Sequence, residues 1–316
     1  MSAERGVRVD VHQHFWSGPL VAALEARDEL PFGRRDGAGR LVVHARGEVA
    51  APIDLAGEHP AARAALLAQD GVEAALVALS SPIGIEALPR GQAQALIAAH
   101  LDGVQALGAR FAVWGPVALD GLAAADVDGV LARGAIGVSL PAGALRDASA
   151  LRALGAVLVH LEECGAPLFV HPGPGLADPS PPAPAGEAIW WSALTAYVRD
   201  MQAAWLAFVA FGRPAHPRLR VVFAMLAGLA PLLHERLAVR GGPPVDLADP
   251  LVSYETSSFG GRAVGAMAAV CGRSQLLYGS DRPVIAPAGG HHGRELAAHG
   301  AWLIERAQPR VEKMSS

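Results

Sequence analysis

Eight short β-rich runs, separated by longer alanine- and leucine-rich stretches, limit what this chain can fold into more than any other feature. The runs are residues 7–11, 74–79, 111–117, 135–140, 167–170, 219–224, 252–256 and 275–278. Between them lie segments of helical character, including 90–107, 148–164, 228–239 and 262–270. Strands that alternate with helices pair in parallel, because a crossover helix returns the chain to the same end of the sheet. Eight such units in 316 residues favour closure into a barrel, which takes roughly 250 residues before insertions. The alternative is an open doubly wound sheet, which normally places a glycine-rich phosphate turn after its first strand. This chain places His12-Gln13-His14 there. The expected fold class is therefore α/β: a (β/α)8 TIM barrel with loop insertions at its C-terminal face, forming one domain over residues 1–316.

Two insertions break the rhythm. Residues 15–59 follow the first strand, and residues 172–186, with six prolines, follow the fifth. Both leave the ends of strands where barrel active sites lie, so they read as irregular lids or substrate walls. In the segment 187–211, Trp190, Leu194, Tyr197, Val198, Met201, Trp205 and Val209 recur at helical spacing, with Gly212 as a C-terminal cap. That stripe packs on the barrel or on a second copy, so a homodimer is a possible assembly. The apolar stretch 189–211 is interrupted by Arg199, Asp200 and Gln202, which argues against a membrane span.

Composition excludes several classes. Hydrophobic residues make up 52% and charged residues 18%, enough for a large core and too apolar for disorder. The net charge of −4 comes without a basic stripe for nucleic acid or a basic amphipathic helix for a membrane surface. Cys164 and Cys271 sit in apolar helical settings and read as reduced core thiols. With no signal-like start, they place the expected protein in the cytoplasm. Lys313, in the polar tail, is the only lysine, which makes Schiff-base chemistry and a lysine bridging two metals improbable.

The histidines carry the chemistry. His12 and His14 are two apart, and on a strand that spacing points both to one side. At the mouth of a barrel, two imidazoles suit a divalent first-row metal. His171 ends the apolar run Pro-Leu-Phe-Val and becomes a third ligand candidate. Asp281, in Leu-Tyr-Gly-Ser-Asp-Arg-Pro, ends the eighth strand, which neighbours the first when a barrel closes. Its carboxylate can reach a metal and also accept a proton.

These motifs resemble the amidohydrolase-related family, in the branch of the aminocarboxymuconate semialdehyde decarboxylase-like enzymes. Val-Asp-Val-His-Gln-His-Phe matches the family's first strand, Phe-Val-His-Pro-Gly its fifth and Leu-Tyr-Gly-Ser-Asp-Arg-Pro its eighth. Leu-Arg-Val-Val-Phe-Ala-Met-Leu-Ala-Gly-Leu-Ala-Pro matches its sixth and the following turn. The resemblance covers nearly the whole chain. It implies the barrel fold and one divalent ion held by His12, His14, His171 and Asp281, with zinc foremost and manganese or iron as alternatives. One departure matters: the family usually has a histidine after Phe-Ala in the sixth-strand motif, and this chain has Met225. Methionine carries no proton. Ala227 also replaces a common glycine, and His234 lies too far along the next helix to substitute.

His291 and His292 follow Asp281 in a loop, so His291 joins Asp281 as a catalytic candidate beside its reading as an exposed surface histidine. Glu255, ending the seventh strand, suits the role of orienting a ligand histidine. Arg282 reads as a salt-bridge partner of Asp281 or of a substrate carboxylate. Trp16, His44 and Arg46 belong to the insertion that could line the mouth. His59, His100, His160, His216 and His299 read as surface or satisfied core residues.

The first functional expectation is a metal-dependent hydrolase acting on a small carbonyl, amide or lactone substrate, with Asp281 taking the proton of a metal-activated water. The second is a non-oxidative carboxy-lyase (decarboxylase) of an aromatic or unsaturated acid. The third, motivated by Met225, is a ligand-binding relative with impaired catalysis.

Overall fold

In the computed structural model, residues 7–176, 188–285 and 292–305 are described. The strands are β1 (Val9–Gln13), β2 (Phe32–Arg35), β3 (Leu41–His44), β4 (Pro52–Ile53), β5 (Ala74–Val77), β6 (Phe111–Pro116), β7 (Ala135–Pro141), β8 (Leu168–His171), β9 (Val221–Phe223), β10 (Val252–Glu255) and β11 (Leu276–Leu277). Eight of them form one parallel sheet in the order β1-β5-β6-β7-β8-β9-β10-β11. Its outer edges meet. Val11 N–H donates to the Tyr278 carbonyl at 2.9 Å, Asp281 N–H donates to the His12 carbonyl at 2.9 Å, and Gln13 bridges to Arg282 in parallel. The sheet is a (β/α)8 TIM barrel with its helices outside.

Valine, leucine and alanine fill these strands, and every residue of β5, β7, β8, β9 and β10 is buried. A strand covered on both faces reads as a near-continuous apolar run, as β5 and β9 do. Trp114 stacks on Phe169 at 4.9 Å inside the barrel, and its indole N–H donates to the Val11 carbonyl at 2.9 Å. Helix ends carry recognisable stops. Ser17 caps the helix Gly18–Glu25, Asp147 caps Ala148–Ala153, and Gly71 ends Pro60–Asp70 in the left-handed conformation that glycine adopts without a Cβ penalty.

The structure departs from the sequence expectations in three places. The 15–59 insertion is not irregular: it holds the helix Gly18–Glu25 and an antiparallel sheet β2-β3-β4. Gly212 is not a helix cap, because the helix Ala196–Ala207 continues through a wider turn, Phe208–Gly212, into Arg213–Ala215. The apolar stripe is also split. Met201 and Trp205 are fully buried, whereas Trp190 and Leu194 are exposed. Cys164 and Cys271 are both free. Among the described residues no helix is long and apolar enough to cross a membrane.

Candidate metal centre

His12 lies within β1, which runs two residues beyond the 7–11 pattern because Gln13 pairs with Val77. His14 follows directly, and His171 is the last residue of β8. All three are buried, and their rings meet nearly at right angles with centroids 4.9–5.1 Å apart. The His12 Nε2 is 3.1 Å from the Nε2 of His14 and 3.1 Å from that of His171. Asp281 Oδ1 lies 3.1 Å from His14 Nε2 and 3.7 Å from His12 Nε2. The barrel thus brings His12, His14 and His171 together from β1 and β8, and sets Asp281, from the segment after β11, beside His14 and His12.

The opposite nitrogens decide what this cluster can do. His12 Nδ1 faces Glu255 Oε2 at 3.0 Å, His14 Nδ1 faces the Ala78 carbonyl at 2.9 Å, and His171 Nδ1 faces the Pro172 carbonyl at 2.8 Å. Each partner only accepts, so each Nδ1 must carry the hydrogen and donate it. In the neutral rings the three Nε2 atoms are then lone pairs turned on one another and on a carboxylate. Lone pairs facing one another in this way repel, and a cation among them, whether a metal ion or a proton, relieves that repulsion. The three histidines are, among the described residues, the cluster with metal-holding geometry. The donor set of three imidazole nitrogens and one carboxylate oxygen suits zinc, manganese or iron.

The electrostatics differ from one member of the cluster to the next, and at His12 they favour a proton on the same nitrogen a metal would take. Burial disfavours a charge on His12, but Glu255, then Asp281 and Asp10, outweigh it and raise its pKa above the ordinary value. His171 moves the other way: burial, then His12 and His14, push it well below. Asp281 is opposed by burial, yet the hydrogen bond with His14 and the charges of His12 and His14 lower its pKa. Its side chain is 17% exposed against 2% and 3% for His12 and His14, so the carboxylate is the part of the cluster that a molecule entering the mouth meets first.

Glu255 orients His12 from the end of β10. Its Oε2 also accepts from Ser257 Oγ at 2.8 Å and from Met225 N at 3.2 Å, and its Oε1 accepts from Ser257 N–H. Met225 opens a turn in which five successive residues have positive φ: Met225 (52°), Leu226 (50°), Ala227 (54°), Gly228 (61°) and Leu229 (63°). Left-handed backbone costs non-glycine residues about 1–2 kcal/mol each. The surroundings hold the turn in place: Gln202 Nε2 donates to the Gly228 carbonyl at 2.8 Å, and a Cβ on Gly228 would lie 2.7 Å from the Val198 carbonyl. The turn aims the Met225 N–H at Glu255.

The remaining candidates separate. Arg282 pairs with Asp70 through two bonds of 2.6 and 2.8 Å. His44 stacks on Phe32, Trp16 is buried, and His59 caps the helix Pro60–Asp70. His291 lies outside the described residues. His100 is neither a surface nor a satisfied core histidine: it is buried, and neither ring nitrogen has a partner. It lines a cavity of about 10 Å³ beside His14 and Trp16, about the room one water needs. Burial, helped by the His14 charge, pushes His100 down to about 3, so it is neutral. Sequence reasoning also passed over Tyr197, whose hydroxyl meets Glu48 of the first insertion and feels the charge of Asp281. Its helical spacing had marked it only as part of an apolar stripe.

No family model and no curated protein matches the sequence. Solved structures do match the fold. IDCase from Metarhizium anisopliae, in apo form, has a TM-score of 0.73 at 16% identity over 97% of this chain and 92% of that one. The 2,6-dihydroxybenzoate decarboxylase from Rhizobium has a TM-score of 0.64 at 15% identity over 95% and 99%. The 5-carboxyvanillate decarboxylase from Novosphingobium aromaticivorans, complexed with manganese and 4-hydroxy-3-methoxy-5-nitrobenzoic acid, has a TM-score of 0.62 at 17% identity over 96% and 90%. At 15–17% identity these are similarities of fold, and the fold they share is the barrel described above.

Proposed function

We propose that this protein is a metal-dependent carboxy-lyase of the amidohydrolase type, releasing carbon dioxide from an aromatic or unsaturated acid. The observation that carries the proposal is the convergence of three Nε2 lone pairs and Asp281, each histidine fixed by an acceptor on its far side. That arrangement suits a divalent cation, for which His12, His14, His171 and Asp281 are the proposed ligands. A divalent ion bound there supplies a positive charge that orients a substrate carboxylate or hydroxyl and stabilises developing negative charge. Decarboxylases among the proteins of the same fold favour the carboxy-lyase over the hydrolase, and the manganese in one of them makes that ion an alternative to zinc.

The chain's own residues then divide the work. Glu255 and the carbonyls of Ala78 and Pro172 hold the three imidazoles in one tautomer. Met225 removes the usual imidazole of the sixth-strand motif, so the proton that replaces the departing carboxyl must be moved by another group. Asp281 is the carboxylate in the cluster and its most exposed member, and it is the proposed proton carrier.

The test is product analysis on zinc- and manganese-loaded protein with a panel of hydroxybenzoic and unsaturated acids, beside a panel of lactones, amides and esters. Release of carbon dioxide that stops on chelation and returns with metal is the expected result. Lactone or amide hydrolysis without carbon dioxide would replace this reading with the hydrolase. Metal-independent turnover would remove both.

Met225 motivates the reading of an impaired relative, and one variant weighs it. If Asp281 moves the proton, Met225→His changes the rate of carbon dioxide release by less than about tenfold. A gain of 10²–10⁴-fold, the usual worth of general acid–base catalysis, would mean that the parent lacks its acid and is impaired.

A further inference from the structure

The residue between the two first-strand histidines is not a spacer. Gln13 Nε2 donates to Asp10 Oδ2 at 2.7 Å, and Gln13 Oε1 accepts from Arg63 Nη2 at 2.6 Å. Each neighbour fixes one end of the amide: a carboxylate can face only its NH₂, and a guanidinium only its oxygen. Asp10 spends its other oxygen on the backbone of the metal cluster. Its Oδ1 accepts from His12 N–H at 3.1 Å and from Ser280 N–H at 3.0 Å. One carboxylate therefore spaces β1 at His12 from the segment after β11 at Ser280, the residue before Asp281.

The chain of contacts continues outward. Arg63 Nη1 pairs with Glu58 Oε1 at 3.2 Å, and Glu58 Oε2 accepts from the Trp16 backbone N–H at 2.8 Å. Asp10, Gln13 and Arg63 are all buried, Arg63 at 0% exposure. The helix Pro60–Asp70 that carries Arg63 also carries Asp70, which grips Arg282, the residue after Asp281. His14 N–H in turn donates to the Arg282 carbonyl at 2.6 Å. A single helix thus holds both backbone segments that present His12, His14 and Asp281.

We infer that Arg63 and Gln13 are positioning residues for the metal site, acting through Asp10 to set the separation of the ligands on β1 from Asp281 after β11. The inference rests on the metal reading given above. Removing the guanidinium frees the Gln13 amide to rotate, loosens Asp10, and lets His12 and Asp281 drift from their common centre. Partners that orient metal ligands typically contribute 10–100-fold in affinity.

The experiment uses the full chain with Zn²⁺ and Co²⁺ as probes. Arg63→Met keeps the length of the stem and removes the charge. Gln13→Leu breaks the middle of the relay and serves if Arg63→Met does not fold. Each is expected to lower metal affinity about 10–100-fold and to change the visible spectrum of bound Co²⁺. The double variant is expected to lose little more than Gln13→Leu alone, because the two act in series. Variants that are less stable but keep the parent's affinity and Co²⁺ spectrum would show a purely structural ion pair and overturn the inference. If the parent itself takes up no metal, the metal reading fails instead, so the two failures are distinct.

Discussion

His171→Ala is expected to abolish stoichiometric metal binding, and carbon dioxide release with it. The variant keeps two imidazoles and one carboxylate, the carboxylate partly exposed, and loses the nitrogen 3.1 Å from His12 Nε2. Its signature is in stability. A ligand that binds only the folded state stabilises it by about 4 kcal/mol at a thousand times its dissociation constant. The parent should gain an increment of that kind when zinc or manganese is added, and His171→Ala should gain none. Without metal the variant should not fall far, because removing one of three facing lone pairs relieves repulsion. Acid should mimic the substitution. Burial opposes a proton on His12, but Glu255, Asp281 and Asp10 raise its pKa above the ordinary histidine value. Proton and metal compete for the same nitrogen, so affinity falls as the pH drops through that raised pKa. Calorimetric metal titration and thermal unfolding with and without metal check both points. A variant that retains the parent's increment would remove His171 from the ligand set.

Gly279→Ala tests the site from behind. A Cβ on Gly279 would stand 2.0 Å from Glu255 Oε1 and 2.5 Å from its carboxyl carbon. Glu255 has no room to retreat, since it is buried and its two oxygens hold Ser257, His12 and Met225. Overpacking of this kind costs about 1–3 kcal/mol. The same displacement turns the His12 ring, so metal affinity should fall about 10–100-fold. Gly265→Ala is the control: nothing lies within 4 Å of its Cβ position, and alanine favours an exposed helix interior by about 0.5–1 kcal/mol. Thermal unfolding and metal titration of the two variants should move in opposite directions for stability and should separate for affinity. Equal affinity in both would mean that Glu255 does not set the orientation of His12.

What could be read in advance followed from periodicity and from position along strands. The eight-strand rhythm was visible because each barrel strand is a short apolar run between helices. His12, His14, His171 and Asp281 stood out because each sits at a strand end near the mouth. The sheet of the first insertion was not legible: β2 and β3 have four residues and β4 only two, too short to show an alternation. Arg63 was invisible for a different reason. Its partner Gln13 is 50 residues away, and an arginine near a helix start reads as a surface charge until a buried amide is found facing it. His100 looked ordinary because a buried histidine normally finds a partner.

The left-handed turn at Met225–Leu229 has a consequence for which substitutions this barrel tolerates. Its link to Glu255 runs through a backbone N–H, which every residue except proline supplies. Position 225 can therefore change its side chain without disturbing the orientation of His12. The architecture separates the hold on His12 from the identity of the side chain at position 225.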